Sequence, residues 1–121
     1  MNTTTPPSYQ GSCHCGQIAF TVEGALTGAM DCNCSLCQRK GALMWFVPRA
    51  QLHLQTPAEA MGTYTFHKHV IQHHFCPTCG IHPFGEATGP DGVRMAAVNI
   101  RCLEGVDLAA VPVHHYDGRA A

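Results

Sequence analysis

The chain has no apolar run near the roughly 18–20 residues that a membrane-spanning helix needs. It also has no low-complexity tract, no tandem repeat and no long linker. Charge is scarce: seven Lys and Arg stand against eight Asp and Glu, for a formal net charge of −1 with His neutral. No basic face or run stands out, so neither a nucleic-acid partner nor a membrane surface is expected. The opening stretch MNTTTPPSYQ carries neither a positive n-region nor an apolar h-region, so it does not read as a secretory signal. A cytoplasmic location is the resulting expectation. Residues 1–10 read as a short flexible tail ahead of one zinc-binding domain at residues 11–121. Helix signals are few as well. Only Pro57–Met61 looks like a helical turn, with Thr56 to cap it and Gly62 to stop it.

What is present is period-2 alternation. Ile18, Phe20 and Val22 share one face; Leu52 and Leu54 repeat the pattern, as do Tyr64 and Phe66, and then Val111, Val113 and His115. Val93–Leu103 is a longer apolar stretch, and Gly41–Val47 is a continuous run of the kind expected of a strand buried on both faces. Trp45 and Phe46 within it suit a pocket wall, a dimer contact or, most commonly, core. Such short segments, bounded by Gly, Pro and Asp turns, predict a mainly β fold. With 121 residues the chain suits a single domain. A domain of this size buries roughly 65–70% of its unfolded surface. That core is thin enough for a metal cross-link to supply much of the net stability.

Eight cysteines supply the chemistry. In a reducing compartment, closely spaced cysteines are more often metal ligands than disulfides. Cys76-Pro-Thr-Cys79-Gly80 is a C-x-x-C knuckle, which can present two thiolates to one tetrahedral ion. A redox dithiol is the alternative, but it would want a strand–helix context that is not visible here. Cys13-His14-Cys15 is flanked by Gly11 and Gly16, which let the backbone bend so that both sulfurs can meet one ion, with His14 facing away. Together Cys13, Cys15, Cys76 and Cys79 would close a structural four-thiolate site. Cys32-Asn-Cys34-Ser-Leu-Cys37 offers three thiolates and no obvious fourth, the pattern of a zinc with one open position. Arg39 and Lys40 follow it, either as a solvated pair or as charges that stabilise thiolates or receive a substrate carboxylate. Spacing alone also permits Cys34/Cys37 to pair with Cys76/Cys79 as a zinc ribbon or a rubredoxin-like iron site. Cys102, in the apolar stretch, reads as a buried thiol.

The chain resembles the glutathione-dependent formaldehyde-activating enzyme family, which also includes centromere protein V. The match runs through Gly11-Ser-Cys-His-Cys-Gly-Gln-Ile-Ala-Phe20 and Cys32-Asn-Cys-Ser-Leu-Cys-Gln-Arg-Lys-Gly-Ala42. It continues through Gly62-Thr-Tyr-Thr-Phe66, Phe75-Cys-Pro-Thr-Cys-Gly80, Val98-Asn-Ile-Arg-Cys-Leu103 and Asp117-Gly-Arg119. The resemblance implies a β-tent-like fold of small sheets packed around structural zinc. It assigns that zinc to Cys13, Cys15, Cys76 and Cys79, and a second, labile zinc to Cys32, Cys34 and Cys37. It also implies a carbon–sulfur lyase that joins glutathione and formaldehyde into S-hydroxymethylglutathione, with small thiol and aldehyde partners. The chain is compact and shows no added segment to clasp a tripeptide, so a smaller thiol stays open. His73 or His74 is the expected general acid, with one of the pair pointing to solvent. The competing expectation is a non-catalytic zinc-binding module for protein interaction or metal handling.

Overall fold

The face shared by Ile18, Phe20 and Val22 is buried, and the rest of the small sheet is built around it. In a computed structural model describing residues 7–66 and 68–120, β1 (Ser8–Ser12), β2 (Ala19–Glu23) and β5 (Leu52–Leu54) form a three-stranded sheet ordered β1-β2-β5. Both pairings are antiparallel, with Phe20 opposite Gly11 on one side and Leu54 on the other. The second sheet contains β3 (Ala29–Cys32), β4 (Met44–Pro48), β6 (Gly62–Tyr64), β7 (Gln72–Phe75), β8 (Phe84–Thr88), β9 (Arg94–Asn99) and β10 (Val113–Tyr116). Its order is β10-β3-β4-β9-β8-β7-β6, antiparallel except where β10 runs parallel to β3. The fold is thus mainly β, in one domain.

The core links the two sheets. Phe20, Val22 and Leu52 of the small sheet pack with Trp45, Val47, Phe84, Ala96 and Val98 of the large one. Burying each large apolar side chain contributes about 1.5–3 kcal/mol. Tyr9 meets Trp45 edge-on at 5.8 Å between ring centroids, which fastens β1 to the large sheet. Residues 8–10 are therefore strand, not free tail, because their backbone pairs with β2 and Tyr9 has a ring to pack on. Pro7 O accepts from Gly24 N at 2.8 Å, and residues 1–6 of the expected tail lie outside the described residues.

Two apolar runs depart from expectation. The Gly41–Val47 segment is not buried on both faces: in β4, Trp45 and Val47 enter the core while Phe46 is 47% exposed. The reason is that, among the described residues, no further layer covers the second face of the large sheet, which lines a cavity. The Val93–Leu103 stretch is not one strand either. It ends at Asn99, whose side-chain oxygen accepts from Arg101 N at 3.1 Å and starts a 3₁₀ turn, Ile100–Cys102. Cys102 sits in that turn, and burial pushes its thiol up to about 11. The Pro57–Met61 signal corresponds to a 3₁₀ turn at Ala58–Ala60. The α-helix among the described residues is α1 (Ser35–Lys40), inside the second cysteine group. No helix of the described residues is long and apolar enough to cross a membrane.

Candidate metal centres and active site

Two knuckles of similar construction approach each other. Cys13 N donates to Ile18 O at 3.0 Å, and Cys76 N donates to Ile81 O at 2.9 Å. Each loop turns through a glycine in the left-handed region, Gly16 at φ 83° and Gly80 at φ 82°, where a side chain would be strained. The loops bring Cys13, Cys15, Cys76 and Cys79 together, with all four sulfurs within 4.8 Å of one another. Cys13–Cys15 and Cys15–Cys76 are 3.7 and 3.6 Å apart. A tetrahedron of sulfurs about 2.3 Å from a zinc ion has edges of about 3.8 Å, so the spacing fits that ion.

Backbone N–H groups complete the donor set. Ile18 N points at Cys13 Sγ (3.3 Å), and Thr78 N and Cys79 N point at Cys76 Sγ (both 3.4 Å). The Cys79 N–H and then the Thr78 N–H hold Cys76 below its ordinary thiol value. The N–H groups of Ile81 and then Cys15 bring Cys79 down to about 6. Such dipoles favour thiolates, the form that binds metal. Cys13 and Cys76 are buried and pack with Ile18, so this site is joined to a small core of its own.

The second group is built differently. Cys32 ends β3, and Cys34 caps α1 by accepting from Cys37 N at 3.3 Å. Cys34 N in turn points at Cys32 Sγ at 3.4 Å. The three sulfurs lie within 4.8 Å of one another, with no fourth His, Cys, Asp or Glu in the group among the described residues. Burial, and then the neighbouring Cys34, pushes Cys37 up to about 12. Cys34 is also raised by burial, but the Cys37 N–H and its other partners outweigh this and leave it lowered. The soft three-thiolate set fits a zinc ion with one further position. Because the two groups are separate, the zinc-ribbon pairing of Cys34/Cys37 with Cys76/Cys79 is not formed.

The C-terminal segment closes over this group. Arg119 Nε donates to Asn33 O at 2.7 Å, Arg119 Nη2 to Gln38 Oε1 at 2.8 Å, and Asn33 Nδ2 to Asp117 Oδ1 at 3.1 Å. Between them Gly118 lies so close that a Cβ there would sit 2.6 Å from Cys32 Sγ. The sequence placed Asp117-Gly-Arg119 within the family match but gave Gly118 and Arg119 no part in the site; their position depends on β10 pairing with β3, which no local pattern encodes.

Cys32, Cys34 and Cys37 all line a cavity of about 480 Å³ on the second face of the large sheet. Its walls include Met30, Met44, Phe46, Met95 and Ala97, with His73 and His82 beside them. His73 and His74 are both buried, so neither points to solvent as expected. Alternation along β7 divides them: His73 faces the cavity, and His74 packs on Phe84 and meets Glu86 Oε2 at 2.7 Å. Glu86 also accepts from Arg49 Nε at 3.2 Å and pairs with Arg94. Burial pushes that carboxyl up, but His74 and the two arginines outweigh it and hold it below its usual value. Lys40 Nζ lies 3.0 Å from His73 Nδ1, while His73 Nε2 is buried without a hydrogen-bond partner. Burial lowers His73 to about 4 and Lys40 to about 8. Arg39 takes no part, since its guanidinium donates to Ser35 O on its own helix at 2.8 Å.

These features define a small β protein with one four-cysteine group and a second, three-cysteine group that opens into an apolar cavity. A family profile described as glutathione-dependent formaldehyde-activating enzyme matches residues 8–116, and the chain belongs to that family. It is also similar to a crystal structure of a Rhodobacter sphaeroides protein, with 34% identity and a TM-score of 0.74. That likeness covers 87% of this chain and 99% of the other. Family membership supports a formaldehyde-activating, glutathione-related function in general terms.

Proposed function

We propose that the chain is a zinc-dependent carbon–sulfur lyase-type enzyme that adds a thiol to an aldehyde such as formaldehyde, or reverses that step. The observation that carries this reading is the opening of Cys32, Cys34 and Cys37 into the cavity beside His73. In this reading Cys13, Cys15, Cys76 and Cys79 hold a structural zinc, and Cys32, Cys34 and Cys37 hold the second, labile one. A zinc ion held by Cys32, Cys34 and Cys37 would supply Lewis acidity that makes a substrate thiol more acidic.

The chain's own groups do the rest. The new C–S bond uses the sulfur lone pair; the C=O π pair moves to oxygen, and the proton lost by the thiol is made good at that oxygen. With Lys40 donating to His73 Nδ1, the imidazole carries its proton on Nε2, the atom without a partner. A neutral imidazole held this way is a hydrogen-bond donor for the developing oxyanion, a role worth about 10²–10³ in rate for a single donor. The apolar walls exclude water, which strengthens that interaction. The cavity beside the three cysteines has the size and apolar lining of a small-molecule site, which favours an enzyme over a non-catalytic zinc module.

The test is exchange-broadened NMR of formaldehyde and a thiol with zinc-loaded protein. Acceleration over the spontaneous reaction, lost in Cys34→Ser and reduced in His73→Phe, is the expected result. A wild-type rate equal to the buffer rate refutes the proposal.

A further inference from the structure

We propose that the cavity takes an apolar thiol, or the aldehyde adduct of one, in preference to glutathione. Its sulfur would reach the Cys32/Cys34/Cys37 end, with its hydrocarbon body against Met44, Phe46, Val70, Ile71 and Met95. This rests on the reading of the three-cysteine group as the substrate-thiol site and adds the class of thiol it accepts.

The lining carries the inference. Among the described residues around the cavity, Lys68 is the sole lysine or arginine and Glu86 the sole carboxylate. Lys68 is exposed, and Glu86 is already held by His74, Arg49 and Arg94. Glutathione brings two carboxylates and an ammonium group. Its ammonium would find the Glu86 carboxylate already bonded to His74 and the two arginines, and at least one carboxylate would enter apolar surroundings without a partner, which is costly. Arg39 and Lys40 both stand outside the lining; Arg39 bonds its own helix and Lys40 is held at His73 Nδ1, so neither supplies the missing cation.

Size and exposure point the same way. A volume of about 480 Å³ lies within the range of small-molecule sites, roughly 300–1,000 Å³, and formaldehyde would fill little of it. Phe46, Val70 and Ile71 are 47, 56 and 48% exposed, yet all three border this one cavity. Large apolar side chains grouped at a cavity mouth mark a surface that an apolar ligand would cover. The alternation of β9 builds the floor: Met95 and Ala97 line the cavity while Ala96 and Val98 face the core.

Isothermal titration calorimetry on the zinc-loaded full chain tests this with three probes: phenylmethanethiol, its oxygen analogue phenylmethanol, and glutathione. Phenylmethanethiol is expected to bind at least tenfold more tightly than either of the others. Ala97→Arg, which places a cation between Phe46 and Gly85 on the floor, is expected to shrink that preference over glutathione by at least fivefold. Glutathione binding as tightly as phenylmethanethiol in the wild type overturns the proposal whether or not the variant folds. In that case the thiol chemistry of the site stands. If neither thiol alters the absorption of the cobalt-substituted three-cysteine site, both readings fall together.

Discussion

Gly118 is where one added methyl group says most about the open site. An alanine Cβ at that position would lie 2.6 Å from Cys32 Sγ and 3.1 Å from Cys34 Cβ, whereas ordinary contact begins at 3.4 Å. The gap must be made up by movement of Cys32, of Cys34 or of the segment bearing Gly118. Metal–ligand distances tolerate only about 0.2 Å, so moving Cys32 spoils the three-sulfur geometry. Moving the C-terminal segment instead breaks the Arg119 bonds to Asn33 and Gln38 that hold it over the site. Perturbing the groups that support metal ligands typically costs 10–100-fold in affinity, or about 1.4–2.7 kcal/mol. Gly118→Ala should therefore weaken zinc at the Cys32 group by that factor while the four-cysteine site keeps its ion. Chelator competition resolves the two sites, since the weaker ion is removed first. An affinity within twofold of wild type at the weaker site would refute the placement of Gly118 against Cys32.

Three other perturbations probe separate parts of the account. Cys76→Ser removes a buried thiol from the four-cysteine group; the structural zinc proposed there would be worth about 10–16 kcal/mol against a total stability of about 5–15 kcal/mol. The variant should lack a cooperative melt by circular dichroism, and a native melt with full zinc would contradict the structural role. Glu86→Gln should cost about 1–3 kcal/mol in urea unfolding, because Arg49, His74 and Arg94 lose their shared charge while the two arginines stay partly solvated. Glu86 has a lowered folded-state value, so its contribution is present above the unfolded value near 4.5 and is lost as pH falls through the folded one. Wild type should lose stability below about pH 4.5 more steeply than the variant, and parallel curves would refute this. His73→Phe should retain both zinc ions by elemental analysis while losing about 10²–10³ in rate; loss of zinc would make His73 a support of the metal site instead.

How much of this was readable in advance follows from where the information is local. The alternation at Ile18, Phe20 and Val22 is legible because one face of β2 is buried. The two cysteine groups are legible because each knuckle is specified within a few residues. Helix α1 is not, since six residues show too little of a 3.6-residue period and its cap is a cysteine instead of Ser, Thr, Asp or Asn. The cavity is harder still. It is lined by α1, by six strands, β3, β4, β7, β8, β9 and β10, and by loop residues such as Phe66, Val70 and Ile71, and among the described residues no further layer covers the second face of the large sheet. A continuous apolar run such as Gly41–Val47 looks the same whether its second face meets protein or a ligand space. His73 and His74 are adjacent and chemically identical; their opposite surroundings come from β8, where Gly85 stands opposite His73 and Glu86 reaches His74.

The central claim is that the two thiolate groups are unequal, one closed and one open to a substrate thiol. Cobalt substitution followed by thiol titration tests it most directly, since thiolate-to-cobalt absorption reports each added sulfur. The account predicts that one equivalent of phenylmethanethiol changes the spectrum of the wild-type protein, and that Cys34→Ser abolishes the change while the bands of the four-cysteine site remain. A spectrum indifferent to the thiol, with both sites filled, would contradict it.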